Sequence, residues 1–318
     1  MKVFYLLCTM GLLYTVSAFT EFSSTDDFGL TFTDNANYES TQKDHDFIWG
    51  IFSANKYKQD RWNLGLNLGF NKYSSQISND RIFWGTSFGA YQEVDKDAEL
   101  KEELGIFGTH YIHTPEGTTD FNYNNVGFRL AGSYVNYFQE NTSFSIGPAL
   151  EHTSYLATPL VAGRTENQIS LKAGIGYQFE YAAKKKVVVG PYWTVYLELG
   201  HIGSNSEYYV RNYFSIGTSV SYDWDEKWSS FARLDYRATR FPNRISQTVI
   251  LANRKGRGSS IYTNEETQRL VQLLLEAKAK ISKSYFLIGG VMLESQRSSS
   301  GLYDYNVDSV YIKNQLVF

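Results

Sequence analysis

His152 and Ser154 stand two residues apart, within Glu151-His152-Thr153-Ser154. In an extended chain, side chains two apart share a face. An imidazole beside a serine hydroxyl can take its proton and make it a nucleophile, provided a third group orients the ring. Asn167 and its neighbour Glu166 are the candidates for that third group. The chemistry this set could perform is acyl transfer from an ester. A second group of residues points to different chemistry. Arg129, Lys172, Arg211, Arg233, Asp235, Arg237, Glu276, Lys278 and Lys280 recur at alternate positions between apolar residues. Charges arranged this way suit the wall of a water-filled passage, where they bias which ions pass. A third group, Arg254, Lys255 and Arg257, is a basic cluster in the segment 241–267. It could constrict such a passage or meet lipid phosphates outside it.

The elements that would carry these residues are strands. Trp62, Leu64, Leu66, Leu68 and Phe70 alternate with Asn63, Gly65, Asn67, Gly69 and Asn71. Ile169, Leu171, Ala173, Ile175, Tyr177 and Phe179 alternate with polar or small residues in the same way. Residues 265–280 contain good helix formers, but Val271, Leu273, Leu275, Ala277 and Ala279 keep a period of two, which favours a strand. Short connections, near residues 58–61, 95–97, 140–142, 182–185, 223–227 and 282–284, alternate with longer ones. The longer ones fall near 39–46, 74–80, 113–123, 156–167, 203–206, 241–267 and 297–303. Six turns and seven loops join about fourteen strands, the first expected over residues 28–38. The fold expected is all-β, a transmembrane antiparallel up-and-down barrel. Twelve strands with an N-terminal extension is the alternative.

The last strand runs to Phe318 with Leu316, Ile312 and Val310 on one face and Gln315, Lys313, Tyr311 and Ser309 on the other. It resembles the C-terminal strand of Gram-negative outer-membrane β-barrels, although Asn314 stands where an apolar residue is usual. The resemblance implies a bacterial outer-membrane location and recognition of the terminal strand by the barrel assembly machinery. At the other end, Lys2, the apolar run from Val3 to Val16 and the small residues Ser17 and Ala18 predict a cleaved signal peptide over 1–18. The barrel is then one domain over 19–318. Cys8, the only cysteine, falls in the signal, so no disulfide or cysteine metal site is expected. Aromatic residues make up 16% of the chain, with 25 Tyr, as interfacial girdles require. Mean hydropathy is −0.35 and no later stretch is apolar enough for a spanning helix. The net charge of −3, or −4 without Lys2, argues against a nucleic-acid partner.

The functional reading the sequence favours is a channel or transporter for small polar or charged solutes. Inward Gly65, Gly69, Gly85, Ser87, Gly89, Gly174, Gly176, Ser215, Gly217 and Ser219 would provide width, and segment 241–267 would gate the lumen. The alternative is a lipid hydrolase. Glu151-His152-Thr153-Ser154 resembles the His-x-Ser element of outer-membrane phospholipase A and of the lipid A deacylases. That resemblance implies an Asn or acidic residue on a neighbouring strand and a site facing the outer leaflet. This sequence lacks the Asn-Gly that follows the Ser in the phospholipase and its Trp-Asn-Arg around the orienting Asn. A closed structural or surface-interaction barrel is the second alternative. No cofactor or metal motif is present: His110 and His113, three apart, fall on opposite faces of a strand, and His45 and His201 have no acidic partner at suggestive spacing. The expected partners are outer-membrane lipids and lipopolysaccharide, and the expected state is a monomer.

Overall fold

The computed structural model describes residues 21–34, 45–59, 61–112, 124–139, 141–157, 162–183, 186–249, 261–301 and 303–318. The expected signal segment 1–18 and the basic cluster Arg254, Lys255 and Arg257 lie outside the described residues. The strands are β1 (Glu21–Thr33), β2 (Asp46–Gln59), β3 (Trp62–Tyr73), β4 (Arg81–Asp95), β5 (Ala98–Tyr111), β6 (Asn125–Gln139) and β7 (Thr142–Tyr155). They continue as β8 (Arg164–Ala183), β9 (Lys186–Ser204), β10 (Arg211–Asp223), β11 (Trp228–Val249), β12 (Ile261–Lys280), β13 (Tyr285–Ser298) and β14 (Tyr305–Val317). Each pairs antiparallel with its sequence neighbours, and β1 pairs with β14 to close the barrel. Closure satisfies the backbone of both end strands and leaves no exposed edge.

The outer wall is apolar for the reason alternation predicts. Leu68, Trp84, Phe88, Leu104, Phe128, Ile169, Leu199 and Val310 are among the large hydrophobic side chains left exposed. A soluble domain would bury them, so this wall has the form of an outer-membrane barrel exterior. Asn314 interrupts the outward row of β14, where the Tyr285 hydroxyl donates to its Oδ1 at 2.5 Å.

Three expectations are corrected. The first strand is Glu21–Thr33 rather than 28–38, and it pairs with β14 from Thr25↔Val317 to Thr33↔Ser309. It is a full stave of the barrel, which removes the twelve-strand alternative. Segment 156–167 is shorter as a loop, since β8 begins at Arg164 and puts Glu166 and Asn167 on a strand. Segment 241–267 is also mostly strand, because β11 runs to Val249 and β12 starts at Ile261. The β11–β12 ladder shifts register between Phe241 and Ile245. At that irregularity the buried Arg244 guanidinium lies 3.8 Å from the Phe241 ring and 4.1 Å from the Tyr208 ring. The Tyr208 and Tyr303 hydroxyls hydrogen-bond beside it. Burial, then that bond, push the Tyr303 hydroxyl up to about 12. The start of the segment is therefore held by a buried cation against rings of the β9–β10 and β13–β14 connections.

Several inward glycines, Gly69 and Gly217 of the expected set among them, seat neighbouring side chains, whereas Gly85 would meet only ordinary contacts. A Cβ on Gly69 would lie 2.1 Å from the Phe83 ring, one on Gly200 2.2 Å from the Tyr213 ring, and one on Gly290 2.3 Å from the Tyr311 ring. On Gly217 it would meet Asp235 at 2.3 Å and Tyr196 at 2.4 Å. These glycines are seats for neighbouring side chains, and the space their missing Cβ leaves is already filled.

Candidate active site on the outer wall

The outward face of β7 carries Ile146 and Leu150, then His152 and Ser154, in one period-two row. On β8 the outward row is Ile175, Leu171, Ile169 and then Asn167. The β7–β8 register sets His152 directly opposite Asn167. On the other side, β6 sets Phe128 opposite His152, and the two rings stack with centroids 5.4 Å apart. The imidazole is thus held between a ring on one neighbour and an amide on the other.

The polar geometry completes a triad. His152 Nδ1 lies 2.7 Å from Asn167 Oδ1, and His152 Nε2 lies 3.0 Å from Ser154 Oγ. With an amide oxygen as its partner, Nδ1 carries the proton and donates. Nε2 is then the acceptor for the serine O–H. This is the arrangement a serine nucleophile needs, with Ser154 as nucleophile, His152 as base and Asn167 as orienting group. The set sits at the end of β7 that leads into the longer connection 156–163, above the apolar rows of β6, β7 and β8. Glu166, the other candidate for the third position, has the opposite parity. It is buried on the inner side and pairs with Arg211, Nη2 to Oε2 at 3.0 Å, and with Arg164, Nε to Oε1 at 3.1 Å. Two guanidiniums hold it away from His152.

The charged residues expected to line a passage face inward, and those on β8–β14 are engaged by neighbouring charges, rings and polar side chains. Arg233 Nε lies 2.5 Å from Asp235 Oδ2, and the Tyr196 hydroxyl donates to Asp235. Lys172 Nζ sits 3.9 Å from the Tyr196 ring centroid. Arg237 Nε donates to Ser215 Oγ at 3.0 Å. Tyr311 donates to Glu276, and Lys313 Nζ lies 3.9 Å from the same carboxylate. Lys278 donates to Gln315 Oε1 at 2.7 Å. Lys280 ends β12 at a short-turn end, where its amide donates to the Lys227 carbonyl. A cavity of about 840 Å³ remains inside β2–β9, lined among others by Lys56, Lys58, Lys101, Arg129, Lys172 and Glu198.

One pair escaped the sequence reading. His201 Nδ1 lies 2.7 Å from Asn212 Oδ1 across β9 and β10, on the outward face, and the two residues are directly opposite in register. This repeats the His152–Asn167 relation, with Gly203 in the place of Ser154. The signal was legible as a His and an Asn of outward parity flanking one connection. Among the described residues no cluster of His, Cys, Asp and Glu could hold a metal ion.

No family model and no curated protein matches the chain. Among solved structures it is similar to the TodX monoaromatic hydrocarbon channel in a deltaS2 mutant form, at TM-score 0.49 and 9% identity. That match covers 93% of this chain and 90% of that one. It is similar to the CymD monoaromatic hydrocarbon channel at TM-score 0.48 and 8% identity, covering 95% and 90%. An anion-selective porin from Comamonas acidovorans matches at TM-score 0.46 and 9% identity, covering 94% and 99%. These likenesses are ones of barrel form.

Proposed function

We propose that this barrel resides in a bacterial outer membrane and hydrolyses acyl esters of lipids there, using Ser154 as nucleophile. The observation that carries the reading is the convergence of Ser154, His152 and Asn167 within hydrogen-bonding reach on the wall that faces lipid. A nucleophile there needs no substrate to enter the lumen. The exposed row of Val126, Phe128 and Leu130 on β6, with Ile169 and Leu171 on β8, offers acyl chains an apolar wall below the serine.

In the first step Ser154 Oγ attacks the ester carbonyl carbon while its proton passes to His152 Nε2. Asn167 Oδ1 accepts from Nδ1–H throughout, which keeps Nε2 pointed at the serine and steadies the imidazolium. The C–O bond to the leaving alcohol then breaks, and Nε2–H donates its proton to that oxygen. Water repeats the sequence on the acyl-serine, releasing a fatty acid and regenerating the hydroxyl. Purified protein in mixed micelles of phospholipid, and separately of lipid A, should release fatty acid. Ser154→Ala should lower turnover by at least about 1000-fold. Turnover untouched by the substitution, or none with either lipid, would overturn the reading.

A second reading, passage of small polar solutes, is favoured by the charged cavity of about 840 Å³ within the barrel. Basic groups outnumber acidic ones on the wall of Arg233, Asp235, Arg237, Glu276, Lys278 and Lys280, so weak anion preference is expected. Single-channel recording in planar bilayers tests it. Arg233→Glu with Arg237→Glu should shift the reversal potential toward cations, and a silent bilayer rejects the passage.

A further inference from the structure

Three arginines stand at one end of β11, β12 and β13, on the same outward face as the apolar rows. Arg240 follows Leu234 and Tyr236 at alternate positions, Arg269 precedes Val271 and Leu275, and Arg297 follows Leu293. All three are exposed. The register sets Arg269 directly opposite Arg297 on one side and opposite Ala238 on the other. Arg240 is opposite Thr267, the next outward rung of β12. Neighbouring strands lie about 4.8 Å apart, so three guanidiniums share a patch on the order of 10 Å wide. Like charges directly opposite in a sheet repel. Glu265, outward on β12, pairs with Arg240. Arg297 is steadied by Asn306 Oδ1 at 3.2 Å and by the Gln296 carbonyl. Among the described residues neither Arg269 nor Arg297 has an ion pair. Asp304 is engaged by the Ser298 amide, and Asp308 stands lower on β14, opposite Leu293.

This end of the strands is the one remote from the short turns, level with the His201–Asn212 pair, since Asn212 is opposite Arg240. A groove of about 440 Å³ opens there, with Phe214, Tyr236 and Ala238 as apolar lining and Arg240, Arg269 and Asn212 as polar lining. Cations at the edge of an apolar groove on a membrane-facing wall match an amphiphile whose head is an anion.

We propose that this groove binds a membrane lipid bearing a phosphate monoester, with the phosphate between Arg269, Arg297 and Arg240 and the apolar part against Phe214 and Tyr236. The charge chooses the monoester. Two guanidiniums without an ion pair face each other, and a phosphomonoester carries about −1.5 to −2 near neutral pH, where a diester carries one. Planar guanidinium groups grip phosphate oxygens in pairs, which fits the side chains present. The proposal does not depend on the hydrolase reading, and binding is best measured on the Ser154→Ala barrel, where turnover cannot remove the probe.

The barrel would be placed in phosphatidylcholine nanodiscs doped with fluorescent phosphatidic acid, or with phosphatidylglycerol as the diester control, and retention of the probe measured. Phosphatidic acid should be enriched over the diester, and Arg269→Gln with Arg297→Gln should lower that enrichment about tenfold or more. Arg61→Gln, which removes a cation at a short turn, should not change it. Removing two facing cations relieves repulsion, so the double variant should keep the barrel's circular dichroism and heat-modifiable migration. Equal retention of monoester and diester overturns the proposal, as does a double variant that retains the probe. Displacement by millimolar inorganic phosphate would show a site for the free anion and reject a lipid. Loss of enrichment in Arg61→Gln would show attraction by overall charge alone.

Discussion

Asn167→Ala separates an orienting amide from a bystander, and its size follows from the geometry. The bond lost is His152 Nδ1 to Asn167 Oδ1 at 2.7 Å, between neutral groups on an exposed face. A neutral hydrogen bond contributes about 0.5–1.5 kcal/mol net. Since about 1.4 kcal/mol is tenfold in rate, kcat should fall roughly 2- to 12-fold from this bond alone. The ring does not swing free afterwards, because Phe128 still stacks on it with centroids 5.4 Å apart. The drop should therefore stay well short of that for Ser154→Ala. Asn167 lies behind the imidazole, so KM should be unchanged. Asn167→Asp replaces the amide by a carboxylate, strengthens the bond to the imidazolium and should keep or raise kcat. Glu166→Gln should leave kcat alone, since that carboxylate is turned inward onto Arg164 and Arg211. The assay is fatty-acid release from phospholipid or lipid A micelles at several substrate concentrations. An Asn167→Ala barrel with full kcat, or a Glu166→Gln barrel that loses more, would refute the assignment of the third residue.

Gly203→Ser in the Ser154→Ala background should restore measurable ester hydrolysis. A Cβ there lies 3.7 Å from His201 Nε2 in ordinary contact, beside a ring already held by Asn212, and no recovery would mean that the dyad alone does not suffice. Gly290→Ala should destabilise the barrel by about 1–3 kcal/mol, read from its unfolding midpoint in urea, because the new methyl would meet the Tyr311 ring at 2.3 Å. Gly289→Ala, where nothing lies within 4 Å, is the matched control and should be near neutral. Equal effects at the two positions would reject the view that inward glycines seat rings.

Strand faces were legible in the sequence because the side-chain period of two is a local property of an extended chain. From it came the barrel, the outward parity of His152, Ser154 and Asn167, and the inward parity of Arg233, Asp235 and Arg237. The short turns were legible too, since few residues can join antiparallel neighbours. Strand ends were less so. Residues 241–249 carry no clean alternation, and what ties Phe241 and Arg244 in place is a set of rings from Tyr208, Tyr209 and Tyr303, distant in sequence. The filling of the lumen was hidden for the same reason. Gly217 reads as open space until the fold brings Tyr196 and Asp235 over it. Composition and alternation thus determined a closed barrel and which side each residue would face. Register between strands, a cooperative property of the whole closed sheet, decided the rest. A slip of one residue would have turned β8 over, sending Ile169, Leu171 and Ile175 into the lumen and setting Glu166 instead of Asn167 beside the imidazole. The observed pairing put Asn167 there instead, and aligned His201 with Asn212 and Arg269 with Arg297 in the same way.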